Sequence, residues 1–548
     1  MTRSQDSHQS QAFDLLATFL ETTTGPTERL SWLPTAGTLP HFSQRWGGHS
    51  YFTALTSALR SLGQVIFINN PISGLLLLLA LLGQSPAMGL FSALGVATAN
   101  LTAKAIGCDR GARCNGIYGF NGALVGSAAA AFRTPGPLRA WLVVVAIGAA
   151  LTTLLLHHLG RWLIQRLGLP PLTLPFCLVT WLMLTVVMAL HNPAMDVLRG
   201  AIPAAQGPGV AVLLLGVVRG FGQVFLCPSL LSGLLVLGAV AAGSPLAALI
   251  GLAGGLVSSL SALALGMAPG AIALGLGSYN GVLTAIAIGG TFYATTRGSV
   301  LIALVAGAGS SLVTRALGPA FASAGLPLLT LPFIVATLAT MVTVRRALPS
   351  LLPVALHSVL TPEEHRQRFV VATSLLSDFR RQLHRALSGE RQVALLPLAE
   401  VSQRQRLQTL FAELDRDGSG TLSLAELTDG LRRQQPETRR DATSRPPERL
   451  LEEVLEGMDL DGDGQVDAEE FAELMLRLRR LHGGRERLLT YLQPVDADGN
   501  DRLEPAELDR LLSSVGQPRL TAREHQQMFG LDGRGLSWES FIDRLLLT

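Results

Sequence analysis

Acidic side chains are nearly absent from the central part of this chain. Charged residues make up only 15% of the 548 residues, and between Glu28 and Glu363 the only carboxylates are Asp109 and Asp196. Ion-coupled carriers and pumps usually bury ionisable side chains within their membrane spans. The absence of such carboxylates argues against those classes and leaves amides and hydroxyls as the polar groups of the apolar region.

Cysteine is also scarce. Cys108, Cys114, Cys177 and Cys227 are too few and too scattered for a disulfide framework, and we expect the first two to be free thiols although they share one loop. The polar first 40 residues contain no basic-then-apolar stretch, so we predict no cleavable signal. No nucleophile with a base and an orienting acid can be assembled from the apolar stretches, so we predict no enzymatic activity.

Apolar residues dominate the part that lacks charge. Hydrophobic residues make up 48% of the chain, and stretches such as "LRAWLVVVAIGAALTTLLL" approach the roughly 20 apolar residues that a bilayer span requires. Residues 401–548 instead hold 29 of the 40 acidic residues and 20 arginines, a formal net charge of −9. The sequence therefore predicts an all-α polytopic membrane bundle followed by a separate acidic, soluble domain.

The apolar region contains an internal repeat. The stretch "GLPPLTLPF" at 168–176 recurs as "GLPLLTLPF" at 325–333, and Gln64 and Asn121 recur as Gln223 and Asn280, 159 residues later. Duplicated membrane halves commonly enclose a permeation site near the bilayer midplane. We predict two repeats, inverted if each crosses the membrane an odd number of times, with about five spans and a re-entrant pore helix each. Asn121 and Asn280 are expected to cap or cross-link helices.

An uncharged pathway favours a neutral polar solute that moves passively. Threonine hydroxyls donate and accept hydrogen bonds, and glutamine or backbone carbonyls accept them from N–H groups. A small planar molecule with several N–H donors and one carbonyl, such as urea or another amide, suits this chemistry. For a single threonine between leucines, a backbone hydrogen bond at a kink is the competing interpretation.

The ordered and duplicated strings "GQVIFINNPISG", "YGFNGALVG" and "LTLPF" resemble the urea transporter family over about residues 45–345. The resemblance implies a homotrimer in which each protomer has its own pore. It also implies outer urea positions at two glutamines, a middle position at two threonines, and apolar walls on both faces of the urea plane. The corresponding residues are Gln64, Gln223, Thr173, Thr330, Phe67, Phe120, Leu124, Leu226, Tyr279 and Leu283.

Some positions depart from the family pattern. Leu226 stands at the position that matches the aromatic Phe67, Tyr279 stands where the family has phenylalanine, and "NNP" at 69–71 becomes "PSL" at 228–230. One mouth is therefore expected to be looser or more polar. Conduction of other small neutral amides or ammonia, and a calcium-binding membrane scaffold that conducts nothing, stay open as alternatives.

The acidic tail contains two complete EF-hand loops. Each has oxygen ligands at positions 1, 3, 5 and 9, a backbone carbonyl at 7, glycine at 6 and glutamate at 12, the pattern that binds calcium. "DRDGSGTLSLAE" supplies Asp415, Asp417, Ser419, Thr421, Ser423 and Glu426. "DLDGDGQVDAEE" supplies Asp459, Asp461, Asp463, Gln465, Asp467 and Glu470.

Two further loops are less regular. "DADGNDRLEPAE" keeps the ligands Asp496, Asp498, Asn500, Arg502 and Glu507. It has Asp501 where the turn favours glycine, so calcium binding there is expected to be weakened. A fourth loop near residue 530 lacks enough carboxylates, and we expect it to pair with the third. A calcium sensor that regulates the pore and a structural or buffering module are both compatible with this chemistry.

These observations predict six segments. They are a polar N-terminal segment (1–44), repeat 1 (45–195), repeat 2 (205–345), a helical connector (346–404), EF-hand pair 1 (405–480) and EF-hand pair 2 (485–548). Arg345 and Arg346 follow the last apolar stretch, which favours a cytoplasmic tail on a protein that spans the inner membrane several times. The expected partners are urea, membrane lipid and identical subunits; no nucleic acid is expected.

Overall fold

The computed structural model describes residues 37–39, 50–134, 137–191, 209–347, 351, 353–354, 360–366, 369–370, 377, 401–423, 425–426, 465–473, 475–476, 500, 502–514, 517–529, 535–537 and 541. The chain forms two compact units, one from 30–367 and one from 1–29 with 368–548. The first unit therefore includes part of the segment that the sequence analysis assigned to a connector. The finer division into six segments stays a prediction.

The unit 30–367 is built from two similar series of helices. The first series comprises α1 (Ser50–Gln64), α2 (Pro71–Gln84), α3 (Pro86–Ala105), α4 (Arg110–Cys114), α5 (Phe120–Ala131), α6 (Leu138–Leu167) and α7 (Leu174–His191). The second comprises α8 (Val210–Gln223), α9 (Leu230–Gly243), α10 (Pro245–Ala264), α11 (Pro269–Ala273), α12 (Tyr279–Ile286), α13 (Arg297–Ser323) and α14 (Leu331–Ala347). A π-helical turn, Ala287–Thr291, extends α12.

The predicted helical class is confirmed for the described residues. Among them, α6, α10 and α13 are long and apolar enough to cross a membrane, while α2, α5, α8 and α9 are shorter apolar helices. The inverted orientation of the repeats and the number of spans remain predictions.

Local sequence explains where several helices begin. The Asn70 side chain accepts hydrogen bonds from the backbone N–H groups of Ile72 and Ser73, and Pro71 occupies the first turn, where its missing N–H costs nothing. In the second half Ser229 caps α9 through the N–H of Ser232. The change from "NNP" to "PSL" therefore keeps the helix cap.

The two halves share one hydrophobic core. Helices α2 and α9 pack against each other across the halves, and the Ser232 hydroxyl donates to the Ala80 carbonyl at 3.1 Å. Within each half, α1 crosses α2, and α8 crosses α9, at Gly74 and Gly233. A Cβ at these glycines would lie 2.0 Å from the Leu59 carbonyl oxygen and 2.4 Å from that of Val218. These crossings therefore require glycine.

The second unit contains α15 (Val401–Leu414), β1 (Arg502–Leu503), α16 (Pro505–Ser514), α17 (Ala522–Phe529) and β2 (Leu536–Ser537). Phe411 and Phe471 pack edge to face with ring centroids 5.7 Å apart, which joins the helices on either side of the first two loops. The strands β1 and β2 pair antiparallel, with Leu503 opposite Leu536.

Candidate functional site

The hydroxyls of Thr173 and Thr330 face each other at the junction of the two halves. Their Oγ1 atoms are 2.7 Å apart, and both residues are buried. The Cys177 Sγ atom lies 3.3 Å from the Thr330 hydroxyl. The two copies of the repeated threonine therefore form one polar group within an otherwise apolar core.

Gln64 and Gln223 end the helices α1 and α8, and their side chains make equivalent contacts. The Gln64 Nε2 donates to the Asn115 carbonyl at 3.0 Å, and the Gln223 Nε2 donates to the Leu274 carbonyl at 2.8 Å. Since the amide N–H groups are directed to the protein backbone, each amide oxygen keeps its capacity to accept. Both glutamines are partly exposed.

The helix ends that follow these glutamines are strained in the same way. Phe67 has φ 63° and Leu226 has φ 59°. The Phe67 N–H donates to the Gln64 carbonyl and the Ile68 N–H to the Gly63 carbonyl, and the second half repeats both bonds. This is a Schellman turn, in which glycine usually occupies the left-handed position. A large side chain there costs about 1–2 kcal/mol.

The remaining wall residues surround the threonine pair. The Phe67 ring packs edge to face on Phe333 (6.0 Å between centroids) and Phe292 (5.8 Å). The Tyr279 hydroxyl donates to the carbonyl of Leu329, the residue before Thr330, at 2.6 Å. Leu124 and Leu283 are fully buried in the same core, and Phe120 is partly buried against it.

Two arginines of the apolar region escaped the sequence analysis, although Arg60 and Arg219 follow the same 159-residue spacing. Arg60 is buried and its guanidinium donates to the Asn69 backbone carbonyl, the Asn69 side-chain oxygen and the Thr38 carbonyl. Arg219 donates to the Ala273 carbonyl at 3.0 Å. The equivalent of Asn69 is proline in the second half, so the two arginines are held by different partners.

The sequence analysis also missed a role for the first two carboxylates after the apolar region. Glu363 accepts hydrogen bonds from the Ser244 hydroxyl at 2.5 Å and the Leu246 N–H at 2.7 Å. It thereby places an anion at the N-terminus of α10, where the helix dipole favours negative charge. Glu364 accepts from the backbone N–H and the hydroxyl of Thr38.

The first EF-hand loop gathers its acidic side chains. Asp415, Asp417 and Glu426 each place a carboxylate oxygen within 4.8 Å of the others. The Gly420 N–H donates to Asp415 at 2.9 Å, and the Ser419 N–H donates to Asp415 and Asp417. Such hard oxygen donors in one loop suit Ca²⁺.

Glu426 is held as a carboxylate. It accepts hydrogen bonds from the Ser423 hydroxyl at 2.7 Å and from the Ser423 and Arg416 N–H groups. The Ser423 hydroxyl, followed by these backbone N–H groups, lowers the pKa of Glu426 to about 2. Its charge is therefore present at neutral pH without a bound cation.

The other loops are described in part. Thr421 and Asp467 form an antiparallel bridge, and the Leu422 N–H donates to the Val466 carbonyl at 2.9 Å, which pairs the first loop with the second. Asp467 accepts from the Glu470 N–H at 2.8 Å. Gln465 lies in the same described segment. In the third loop the Arg502 N–H donates to Asn500, and Glu507 is buried. Outside the described residues lie Asp459, Asp461, Asp463, Asp496 and Asp498.

Comparisons with known proteins support both parts of the chain. Residues 55–345 match the sequence profile described as "Urea transporter", and residues 404–476 match the "EF-hand domain pair". "Urea transporter 1" of Capra hircus is 30% identical over 321 residues, which span 58% of this chain and 83% of that protein. "Urea transporter 1" of Rattus norvegicus is 30% identical over 315 residues, 56% and 81% of the two chains. "Calcium-dependent protein kinase 33" of Arabidopsis thaliana is 30% identical over 135 residues, 24% of each chain.

Proposed function

Because the chain belongs to the urea transporter family, we propose that it conducts urea passively across a membrane and that calcium binding to its EF-hands regulates this conduction. Members of this family are membrane transport proteins and not enzymes. Regulation by calcium, the residues of the pathway and the selectivity are the parts of the proposal that need their own tests.

The Thr173 and Thr330 pair is the observation that carries the transport proposal. One hydroxyl comes from each half, and the two lie 2.7 Å apart in apolar surroundings. Hydroxyls donate and accept, so the pair can meet both the carbonyl and the N–H groups of urea as the molecule passes. Breaking and remaking their mutual hydrogen bond offsets part of the cost of removing urea from water.

The two glutamines are proposed as acceptors at the two ends of the pathway. Their N–H groups bond to the backbone carbonyls of Asn115 and Leu274, so the amide oxygens are the groups that can accept from urea. The apolar side chains Phe67, Phe120, Leu124, Leu226, Tyr279 and Leu283 are proposed to cover the faces of the urea molecule. The candidate pathway contains no carboxylate that could couple transport to protons or cations.

The assembly and orientation are proposed from the family and from charge. We propose two inverted repeats of about five spans and one re-entrant helix each, a homotrimer surrounded by lipid, and insertion in the inner membrane with a cytoplasmic tail. The two matching helix series support the repeat, and Arg345 and Arg346 after the last helix support the orientation.

Calcium regulation is supported by the way the segment that leads to the EF-hands attaches to the transport unit. The Val354 N–H donates to the Phe292 carbonyl at 2.8 Å, and the Phe292 ring packs on Phe67, a proposed wall residue. Glu363 and Glu364 hold the same segment to Ser244 and Thr38. A pull on this segment would therefore reach the pathway through three consecutive contacts.

Urea flux into proteoliposomes that contain the purified full-length protein tests the proposal. We expect flux above that of empty liposomes, no accompanying current, and a change when calcium on the tail side is replaced by a chelator. Flux of ammonia or another amide without urea would favour the alternative solutes. No solute flux together with calcium binding would favour the scaffold. Flux that ignores calcium would reject only the regulation.

A further inference from the structure

The two central threonines occupy positions where their hydroxyls would ordinarily be used by their own helices. Helices α7 and α14 begin one residue after Thr173 and Thr330. A threonine at this N-cap position normally accepts a hydrogen bond from the backbone N–H of the second or third helical residue. A hydroxyl used in this way would be directed at its own backbone and away from a passing solute.

The first two helical positions offer these hydroxyls no donor. The Leu174 N–H donates to the Pro171 carbonyl at 3.1 Å, and the Leu331 N–H donates to the Leu328 carbonyl at 3.2 Å. The second helical residue is proline in both halves, so it has no N–H. Only the N–H of the third helical residue is left to compete for the hydroxyl.

An asparagine from another helix takes that last donor in each half. The Phe176 N–H donates to the Asn121 side-chain oxygen at 3.2 Å, and the Phe333 N–H donates to the Asn280 side-chain oxygen at 3.3 Å. Both asparagines are buried. The Thr173 hydroxyl, relieved of capping, bonds to the Thr330 hydroxyl instead.

We propose that Asn121 and Asn280 are positioning residues that keep the central hydroxyls available to the permeating solute by capping the helices in their place. The repeated "TLPF" then has a physical explanation: its proline removes one competing donor and the asparagine removes the other. This inference rests on the proposed urea conduction and deepens it.

A purely structural asparagine, which only ties α5 to α7, would give a different pattern of effects. Loss of a structural tie would reduce transport whether or not Thr173 has a hydroxyl. Loss of a positioning residue matters only while that hydroxyl exists. A double-mutant cycle separates the two because it measures whether the two side chains act through each other.

The test is urea flux through the full-length protein with Asn121→Leu, Thr173→Val and the combination of both. Removal of either polar group should lower flux by about three- to tenfold, the size of one hydrogen bond. The double variant should conduct as well as Thr173→Val alone. Wild-type flux in Asn121→Leu, or losses that multiply in the double variant, would overturn the inference. The same cycle with Asn280→Leu and Thr330→Val tests the second half.

Two further variants separate positioning from misfolding. Asn121→Asp keeps an acceptor oxygen toward the Phe176 N–H and should retain most of the flux, whereas a variant that is folded but as slow as Asn121→Leu would count against the inference. Ser127→Ala, on the same helix, removes a buried hydroxyl that bonds to Ser92 at 2.9 Å and should leave flux within about twofold. If the wild-type protein conducts no urea, the proposed function fails and not this inference alone.

Discussion

Phe67 and Leu226 adopt the same left-handed backbone conformation, with φ 63° and 59°, although 159 residues separate them and their side chains differ. Each follows a glutamine by three residues and closes a helix with the same pair of backbone hydrogen bonds. Backbone strain that persists at two equivalent positions is typical of sites where side-chain direction matters. In both halves it directs a large apolar side chain to the end of the helix.

This strain predicts an unusual order of stabilities. Leu226→Gly should melt at a higher temperature than Leu226→Ala, by about 1 kcal/mol in free energy, because only glycine adopts φ 59° without cost. At Leu79, an exposed position inside α2, the order should be reversed because glycine disfavours helix. Equal melting temperatures for the two variants at 226 would argue against strain there.

The central hydroxyls predict a graded effect on transport. Thr173→Ser keeps the hydroxyl and should retain most of the urea flux, whereas Thr173→Val keeps the shape and should lose about three- to tenfold. Thr180→Val on the same helix is the control, since the Thr180 hydroxyl is buried and makes no hydrogen bond among the described residues. Stopped-flow flux measures all three. An equal loss for serine and valine would remove the hydroxyl from the mechanism.

The attachment of the tail predicts that calcium response and basal transport can be separated. Glu363→Gln weakens the contacts to Ser244 and Leu246 by removing the anion at the α10 N-terminus. Such charges are worth about 0.3–2 kcal/mol. We expect the difference in flux with and without calcium to shrink while urea flux itself persists. Glu413→Gln, an exposed acid of α15, should keep the full response. An unchanged response in Glu363→Gln would reject this route.

The first loop predicts a strong dependence of calcium binding on Glu426. Glu426→Gln should lower the affinity of this loop by about tenfold or more, because the glutamate at position 12 supplies two oxygen ligands. Glu469→Gln removes an exposed acid of the same EF-hand pair and should change the affinity little. Isothermal titration calorimetry on the full-length protein compares them. Equal affinities would exclude Glu426 as a ligand.

The lowered pKa of Glu426 predicts how this loop behaves in acid. The Ser423 hydroxyl and the neighbouring N–H groups lower that pKa from 4.5 to about 2, so Glu426 stabilises the fold at pH values above about 4.5. This contribution is lost as the pH falls toward about 2. Amide exchange in 415–426, corrected for intrinsic rates, should rise over that interval in wild type and much less in Glu426→Gln. Matching profiles would contradict it.

The sequence was sufficient for conclusions that depend on residue type and spacing. A bilayer span and an EF-hand loop both leave local patterns, a long apolar run and oxygen donors at fixed positions. Hence the helical class, the family of the transport part and the EF-hand pair were predicted correctly. The repeat was visible because Gln64 and Thr173 recur at nearly constant spacing.

Only the tertiary structure decided which groups meet. The Thr173 hydroxyl bonds to Thr330, the Asn121 oxygen caps a helix 55 residues away, and Glu363 reaches Leu246 across 117 residues. None of these pairs has a local signature, because a hydrogen bond between distant segments depends on how the helices pack and not on the residues beside it. Composition determined that the transport part has almost no acidic charge; packing determined which hydroxyls and carboxylates are left to act.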